Sequence, residues 1–136
     1  MAKTIRAKCL DALQLLVRLE AANDEGYVRC VTCGIWRPWN DGMQGGHFIA
    51  KGDSSYWALE KENVHPQCSG CNSFGMKFGT AQIRYTLFME DMYSKDKVEE
   101  MLACKKTTKK ICKADYRNML SQFNEDIRFH KKRIGA

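Results

Sequence analysis

The sequence predicts an α+β fold in which a zinc-stapled hairpin-and-helix core is flanked by an N-terminal helix and a C-terminal helical region. Three observations lead to this prediction. Two CxxC pairs, Cys30 with Cys33 and Cys68 with Cys71, supply the four thiolates of a closed tetrahedral zinc site. Strand-like segments occur before and between the two pairs. Amphipathic helical patterns occupy both ends of the chain.

The first helix is expected over residues 4–22, because the apolar side chains of this stretch fall mostly on one helical face. The polar segment 23–26 then ends the helix. Residues 27–31 are strand-like and run into the first CxxC pair. The run Asn40-Asp41-Gly42 predicts a turn after that pair.

The central part of the chain is expected to form a hairpin. Residues 43–50 can form a strand that carries His47, and residues 57–64 can return as a second strand, with the polar run 51–55 between them. Such a hairpin would bring His47 and Asn63 close together. After the second CxxC pair, a helix is expected from Asn72 to Arg84.

The remainder of the chain is predicted to be helical, over residues 81–93, from Ser94 as N-cap to Cys104, and over about residues 108–132. We therefore predict one domain over residues 1–136. It divides into an N-terminal helix at 1–26, a zinc core at 27–80 and a C-terminal helical region at 81–136.

The other three of the seven cysteines lie at positions predicted to be helical, namely Cys9, Cys104 and Cys112. Four zinc thiolates and three free thiols in a reducing cytoplasm fit this pattern better than a disulfide framework. The apolar stretch near the N-terminus is interrupted by charged residues, so neither a secretory signal nor a membrane span is expected.

The charge balance favours a polyanionic partner. The 136 residues include 22 basic and 16 acidic side chains, which gives a net charge of +6 and a pI near 9.0. Nucleic acid is the commonest partner of such a domain. The densest positive run consists of Lys105, Lys106, Lys109, Lys110 and Lys113. It is either a solvated helix face or a site of phosphate contact.

His47 admits two interpretations. It is either a packed or surface histidine of a strand, or a general base that takes a proton from water attacking a phosphodiester. A histidine suits the second task because its ordinary pKa near 6.5 leaves the ring neutral at cellular pH.

The order His47, Asn63, Cys68, Cys71, Asn72 resembles the zinc-containing His-Asn-His (HNH) endonucleases of the ββα-metal class. That resemblance implies that His47 is the base and that Asn63 braces its loop. It also implies that Asn72 binds a catalytic Mg²⁺ or Mn²⁺, while the zinc is structural.

Within that class, the runs 46–49, 63–68 and 71–72 are similar to the phage NinG family, also called Rap. The resemblance covers about residues 27–90. It implies a structure-specific nuclease that cuts branched DNA such as D-loops and Holliday junctions, in the host cytoplasm if phage-encoded. Symmetric cutting of a four-way junction would most naturally need a homodimer.

One position departs from the HNH pattern. Many of those enzymes carry an aspartate ligand just before the base histidine, where this chain has Gly46. Gln44 is a candidate replacement by analogy, although an amide is a weaker ligand for Mg²⁺ than a carboxylate. The other candidates are Asp41, Asp53 and His65.

Two other classes of function share some of these features. A non-catalytic zinc module that binds DNA would have the same cysteines and basic segments. A protein-interaction scaffold would use the helical region from Cys104 to Ile134 to pair with a partner or with a second copy.

Overall fold

Five helices and two small antiparallel sheets make up the mixed α+β fold, which a computed structural model describes for residues 2–136. The helices are α1 (Ile5–Ala21), α2 (Met76–Phe78), α3 (Ala81–Tyr93), α4 (Lys95–Ala103) and α5 (Lys113–Arg133). The strands are β1 (Tyr27–Arg29), β2 (Trp36–Pro38), β3 (Met43–His47) and β4 (Val64–Cys68). No helix among the described residues is both long and apolar enough to cross a membrane.

Helix α1 forms where its apolar periodicity predicts it. The Thr4 hydroxyl accepts a hydrogen bond from the Ala7 amide at 3.1 Å, which caps the first turn. Its buried face includes Leu13, Leu16 and Leu19, and it packs against α5 and against the β3–β4 hairpin. Each buried leucine contributes about 1.5–3 kcal/mol relative to an exposed one, so the buried face of α1 stabilises the fold.

The hairpin forms, but with a different second strand from the predicted one. Strand β3 pairs with β4 so that Gly46 lies opposite His65 and Met43 opposite Cys68. Instead of the expected strand over 57–64, the chain makes two 3₁₀ turns, Trp57–Leu59 and Lys61–Asn63. The prediction was wrong because all three residues of the first turn are buried, and a strand that alternates between two faces would not bury consecutive side chains.

The first CxxC pair is held between the two sheets. Strands β1 and β2 pair antiparallel, and the Cys30 amide donates to the Ile35 carbonyl at 2.8 Å. Gly34 has a φ of +81°, a left-handed conformation that glycine adopts without strain, and its amide donates to the Cys30 carbonyl. The Val31 amide donates to Pro66 of β4, so the loop is tied directly to the hairpin.

The single helix predicted from Asn72 to Arg84 is interrupted. A π-helical turn spans Cys71–Gly75, α2 follows, and Gly79 is extended before α3 begins. The predicted helix was wrong here because the backbone at Gly75 approaches the Ala81 side chain closely, which requires the chain to turn between them. Helices α3 and α4 follow the predicted bounds, and Ser94 caps α4 by accepting from the Lys97 amide at 3.2 Å.

Residues 104–106 form a turn and residues 107–112 an irregular segment, so α5 begins at Lys113 and not near residue 108. The Trp57 indole donates to the Cys104 carbonyl at 3.1 Å, and the Ser54 hydroxyl donates to the Thr107 carbonyl. The Lys109 amide donates to the Ser55 hydroxyl at 2.8 Å. These bonds fix the lysine-bearing segment beside the 3₁₀ turns, an arrangement that no local sequence pattern predicts.

Candidate metal centre and active site

The four cysteines of the CxxC pairs converge on one point. Their sulfurs lie within 4.8 Å of one another, and the Cys33 and Cys68 sulfurs are 3.7 Å apart. Tetrahedral zinc with Zn–S bonds of about 2.3 Å would hold its sulfurs about 3.8 Å apart. The cluster can therefore hold a metal ion such as zinc, as the spacing predicted.

The pKa values of the cysteine thiols also favour a bound cation at the cluster. Burial is the largest cause that raises the pKa of the Cys71 thiol to about 12; the neighbouring sulfurs act in the same direction, and the Thr32 hydrogen bond opposes them. Burial also raises the pKa of Cys30, but hydrogen bonds from the Cys33 amide and from Thr32 overcome this and bring it to about 6. A bound cation would allow all four sulfurs to be thiolates at once.

His47 lies at the end of β3, where it is half-buried. Its Nε2 is 2.9 Å from the carbonyl oxygen of Ala58 in the first 3₁₀ turn. Because a carbonyl only accepts, Nε2 carries the proton, and Nδ1 of the neutral ring is left as an acceptor. The ring is thus held in the tautomer that a general base requires.

Burial lowers the pKa of His47 below its ordinary value of 6.5. The bond to Ala58 opposes this shift, and the positive charges of Lys51 and Arg6 add to it. The ring is therefore neutral at pH 7, which is the form that can accept a proton.

Asn63 is fully buried and joins the two arms of the hairpin above the strands. Its Oδ1 accepts from the Ile49 amide at 2.8 Å, and its Nδ2 donates to the carbonyls of Ile49 and Trp57 at 2.9 and 3.0 Å. The Asn63 carbonyl also accepts from the Phe48 amide at 2.9 Å. The residue therefore fixes the backbone that immediately follows His47.

Asn72 lies on the π-helical turn directly after Cys71, and its side chain returns to β3. Its Nδ2 donates to Gln44 Oε1 at 2.7 Å. A Cβ atom at Gly46 would lie 2.9 Å from Asn72 Oδ1. Gln44 thus fixes the carboxamide so that its oxygen faces Gly46.

A cleft of about 570 Å³ brings His47 and Asn72 together. Lys51, Lys77 and Lys105 also line it, together with Asp53. Of the other candidate ligands, Asp41 lies on the turn before β3 and is not part of the cleft wall. Among the five candidate DNA-contacting lysines, Lys105 is at the cleft, and all five side chains are exposed.

The model of the family described as bacteriophage lambda NinG protein matches residues 6–133 of this chain. The chain belongs to the NinG family. No curated protein and no solved structure matches it. The match extends well beyond residues 27–90, the part that carried the sequence resemblance, and includes both α1 and α5. Membership ties the chain to a bacteriophage protein family.

His65 of this NinG-family protein is enclosed by aromatic side chains, and both of its ring nitrogens face tyrosine hydroxyls. Its Nδ1 is 3.1 Å from the Tyr85 hydroxyl, and its Nε2 is 2.8 Å from the Tyr93 hydroxyl. The Tyr85 hydroxyl donates to the Gly46 carbonyl at 2.7 Å, so Tyr85 accepts from His65 and Tyr93 donates to it. Burial lowers the pKa of His65 to about 4, which keeps the ring neutral.

The sequence analysis missed one residue at the centre of this NinG-family site. Gln67 of β4 is fully buried, and its Oε1 has no donor among residues 2–136. A Cβ at Gly46 would lie only 1.8 Å from that oxygen. The available signal was the strand register, since a hairpin that pairs residue 43 with Cys68 sets Gln67 opposite Gln44.

Proposed function

We propose that this NinG-family protein is a structure-specific DNA endonuclease that cuts branched recombination intermediates, such as D-loops and Holliday junctions, by metal-assisted phosphodiester hydrolysis. One observation carries the proposal. His47 presents the acceptor nitrogen of a neutral ring, and it lines the same cleft as Asn72, whose carboxamide oxygen can bind a divalent ion.

In this reaction His47 Nδ1 takes a proton from a water molecule, and the water oxygen attacks phosphorus in line with the leaving 3′ oxygen. Asn63 keeps the ring in place through the backbone of Ile49 and Trp57. A divalent Mg²⁺ or Mn²⁺ held partly by Asn72 would stabilise the negative charge that develops on the phosphate. The products would carry a 5′ phosphate and a 3′ hydroxyl.

The arrangement of elements supports assignment to the ββα-metal class. The β3–β4 hairpin is followed directly by the helical segment from Cys71 to Phe78, and the four sulfurs join the end of β4 to the β1–β2 arm. In the proposed enzyme the zinc is structural, because four protein ligands leave no position open for water.

The charge of the cleft supports a DNA substrate. Lys51, Lys77 and Lys105 line it, and Lys109 lies on the irregular segment that is bonded to Ser55. Phosphate contacts from such side chains provide affinity that does not depend on sequence. Several converging arms of a branched DNA present more phosphates to such a surface than a linear duplex does, so branched DNA is the preferred substrate of the proposed enzyme.

The test is incubation of the zinc-loaded protein with linear, flapped, D-loop and four-way DNA, with and without Mg²⁺. The native protein should nick the branched substrates only when the metal is present. His47→Ala should not nick them, whereas His130→Ala should, because His130 lies near the end of α5 and away from the cleft. Tight binding without Mg²⁺-dependent nicking by any form would instead indicate a non-catalytic DNA-binding module.

A further inference from the structure

Two carboxamide oxygens meet at the face of Gly46 without a donor between them. Gln67 Oε1 lies 1.8 Å from the place that a Cβ at Gly46 would occupy, and Asn72 Oδ1 lies 2.9 Å from it. The two oxygens are therefore within about 5 Å of each other, a separation that small side-chain shifts bring into the range of two ligands on one Mg²⁺ with bonds of about 2.1 Å.

The orientation of each amide is fixed from its other end. Gln67 Nε2 faces the Thr32 hydroxyl at 3.4 Å, and that hydroxyl is 3.2 Å from the Cys30 sulfur. Asn72 Nδ2 donates to Gln44. Both amide nitrogens are thus directed away from Gly46, and both oxygens are directed towards it.

A buried carbonyl oxygen without a donor, such as Gln67 Oε1, costs about 1–3 kcal/mol, and the oxygen of the half-exposed Asn72 facing it adds repulsion. A cation between the two oxygens removes this cost and this repulsion. Gln67 is fully buried, and its Oε1 has no donor within residues 2–136. A bound cation would give this oxygen the partner that these residues do not provide.

We propose that Gln67 Oε1 and Asn72 Oδ1 together bind the divalent cation, an inference that rests on the proposed function. Gln67 would supply the ligand oxygen that an aspartate supplies at position 46 in many HNH enzymes. Gly46 and Gln67 form a matched pair. The Gln67 oxygen fits only because residue 46 has no Cβ, and a carboxylate at position 46 would require a shorter side chain at 67. Gln44 is then a positioning residue that orients Asn72 and not itself a ligand.

The test measures Mn²⁺ binding by electron paramagnetic resonance in zinc-loaded protein without DNA. Gln67→Met, which keeps the length and loses the oxygen, should weaken binding at least fivefold. Gln67→Glu should tighten it about tenfold, because a carboxylate is the stronger ligand. Gln82→Glu is the matched control: from α3 it adds the same charge to the cleft that Asn72 lines, and it should change binding less than twofold.

A double variant, Gly46→Asp with Gln67→Ala, tests the matched pair directly and should bind Mn²⁺ more tightly than Gln67→Ala alone. Zinc content and urea unfolding of each variant show whether it is folded. If Gln67→Met binds Mn²⁺ like the native protein and Gln67→Glu behaves like Gln82→Glu, the assignment of Gln67 is wrong.

The two proposals fail in different ways. Binding that follows the predicted order in a protein that never nicks DNA would leave the cation site standing and overturn the nuclease. Mg²⁺-dependent nicking by the native protein, together with Mn²⁺ binding that does not change when Gln67 is replaced, would support the nuclease and overturn the cation site.

Discussion

The contact between His47 and Ala58 decides which ring nitrogen can act. Since the carbonyl accepts from Nε2, only Nδ1 is able to take a proton, and burial keeps the ring neutral near pH 7. His65, the other histidine of the hairpin, has both nitrogens occupied by tyrosine hydroxyls. The two histidines therefore differ in whether a ring nitrogen is left free to accept a proton, and their hydrogen-bond partners set this difference.

The pH dependence of cutting tests the state of His47. A pKa lowered by burial keeps the base neutral at more acidic pH, so the midpoint of the acid limb of the single-turnover rate should lie below pH 6.5. Below the lowered pKa it should fall about tenfold per pH unit as the ring is protonated. Lys51→Gln removes a positive charge that lowers this pKa, and should therefore move the acid limb to higher pH.

The rate is measured on a four-way junction at saturating Mg²⁺, with zinc content checked at each pH. A midpoint above 6.5 in the native protein, or an acid limb that Lys51→Gln moves to lower pH, would contradict the assigned state of His47.

At the scale of elements, the β3–β4 hairpin is held from two sides. The four sulfurs clamp the end of β4 and the turn after it, and α3 contacts β3 at Gly46 through the Tyr85 hydroxyl. Helix α1 covers the same hairpin, and its backbone at Gln14 lies so close to Gly45 that a Cβ there would be 2.7 Å away. The site is thus built on a hairpin with little freedom to move.

Removing one sulfur should unfold the core. Cys68→Ser leaves three thiolates, so the metal is bound more weakly and the folding free energy that comes with it is lost. Thermal unfolding and zinc content report this, and Cys104→Ser is the control because Cys104 is exposed and outside the cluster. Equal melting temperatures of the two variants would show that the cluster does not stabilise the fold.

Removing the Tyr85 hydroxyl should loosen the contact between α3 and β3. Tyr85→Phe leaves the Gly46 carbonyl without its donor and His65 Nδ1 without its acceptor, at a cost of about 1–3 kcal/mol in the free energy of unfolding. Urea unfolding of the zinc-loaded protein measures it. Tyr27→Phe, at an exposed position of β1, should change stability by less than about 0.5 kcal/mol. A similar loss in both variants would mean that the Tyr85 contact adds nothing.

Across the whole molecule, positive charge is gathered beside the cleft by residues that are distant in sequence. The irregular segment 104–112 is bonded to residues 54–57, and this brings Lys105 to the cleft wall that also holds His47. Helix α5 packs on α1 at the far end of the chain. The fold therefore places the basic segment 104–112 beside the β3–β4 hairpin, and α1 packs against both this hairpin and α5.

Salt dependence tests whether the basic segment contacts DNA. The double variant Lys105→Gln with Lys109→Gln should make the plot of log binding constant against log salt concentration less steep by about 2 for a four-way junction. Each phosphate contact contributes about 0.9 to the magnitude of this slope. Replacing Lys8 and Lys95, which are not part of the cleft wall, should leave the slope unchanged. Equal effects of the two pairs would show that only net charge matters.

Local patterns in the sequence predicted much of this arrangement. The apolar periodicity predicted α1 and the cap at Ser94 predicted α4, because each depends on neighbouring residues alone. The CxxC spacing predicted the sulfur cluster because a closed zinc site needs four thiolates, even though the two pairs are distant in sequence. The 3₁₀ turns, the irregular 104–112 segment and the position of Gln67 depend on contacts between distant segments, and no local pattern reveals them. The role of His47 as base stays a prediction.

The most direct test of the account compares cutting and binding in the same samples of native protein and His47→Ala. We expect His47→Ala to bind a four-way junction within about twofold of the native affinity and to cut it at least about 100-fold more slowly in Mg²⁺. A parallel loss of binding and cutting, or unchanged cutting, would contradict the assignment of His47 as the base.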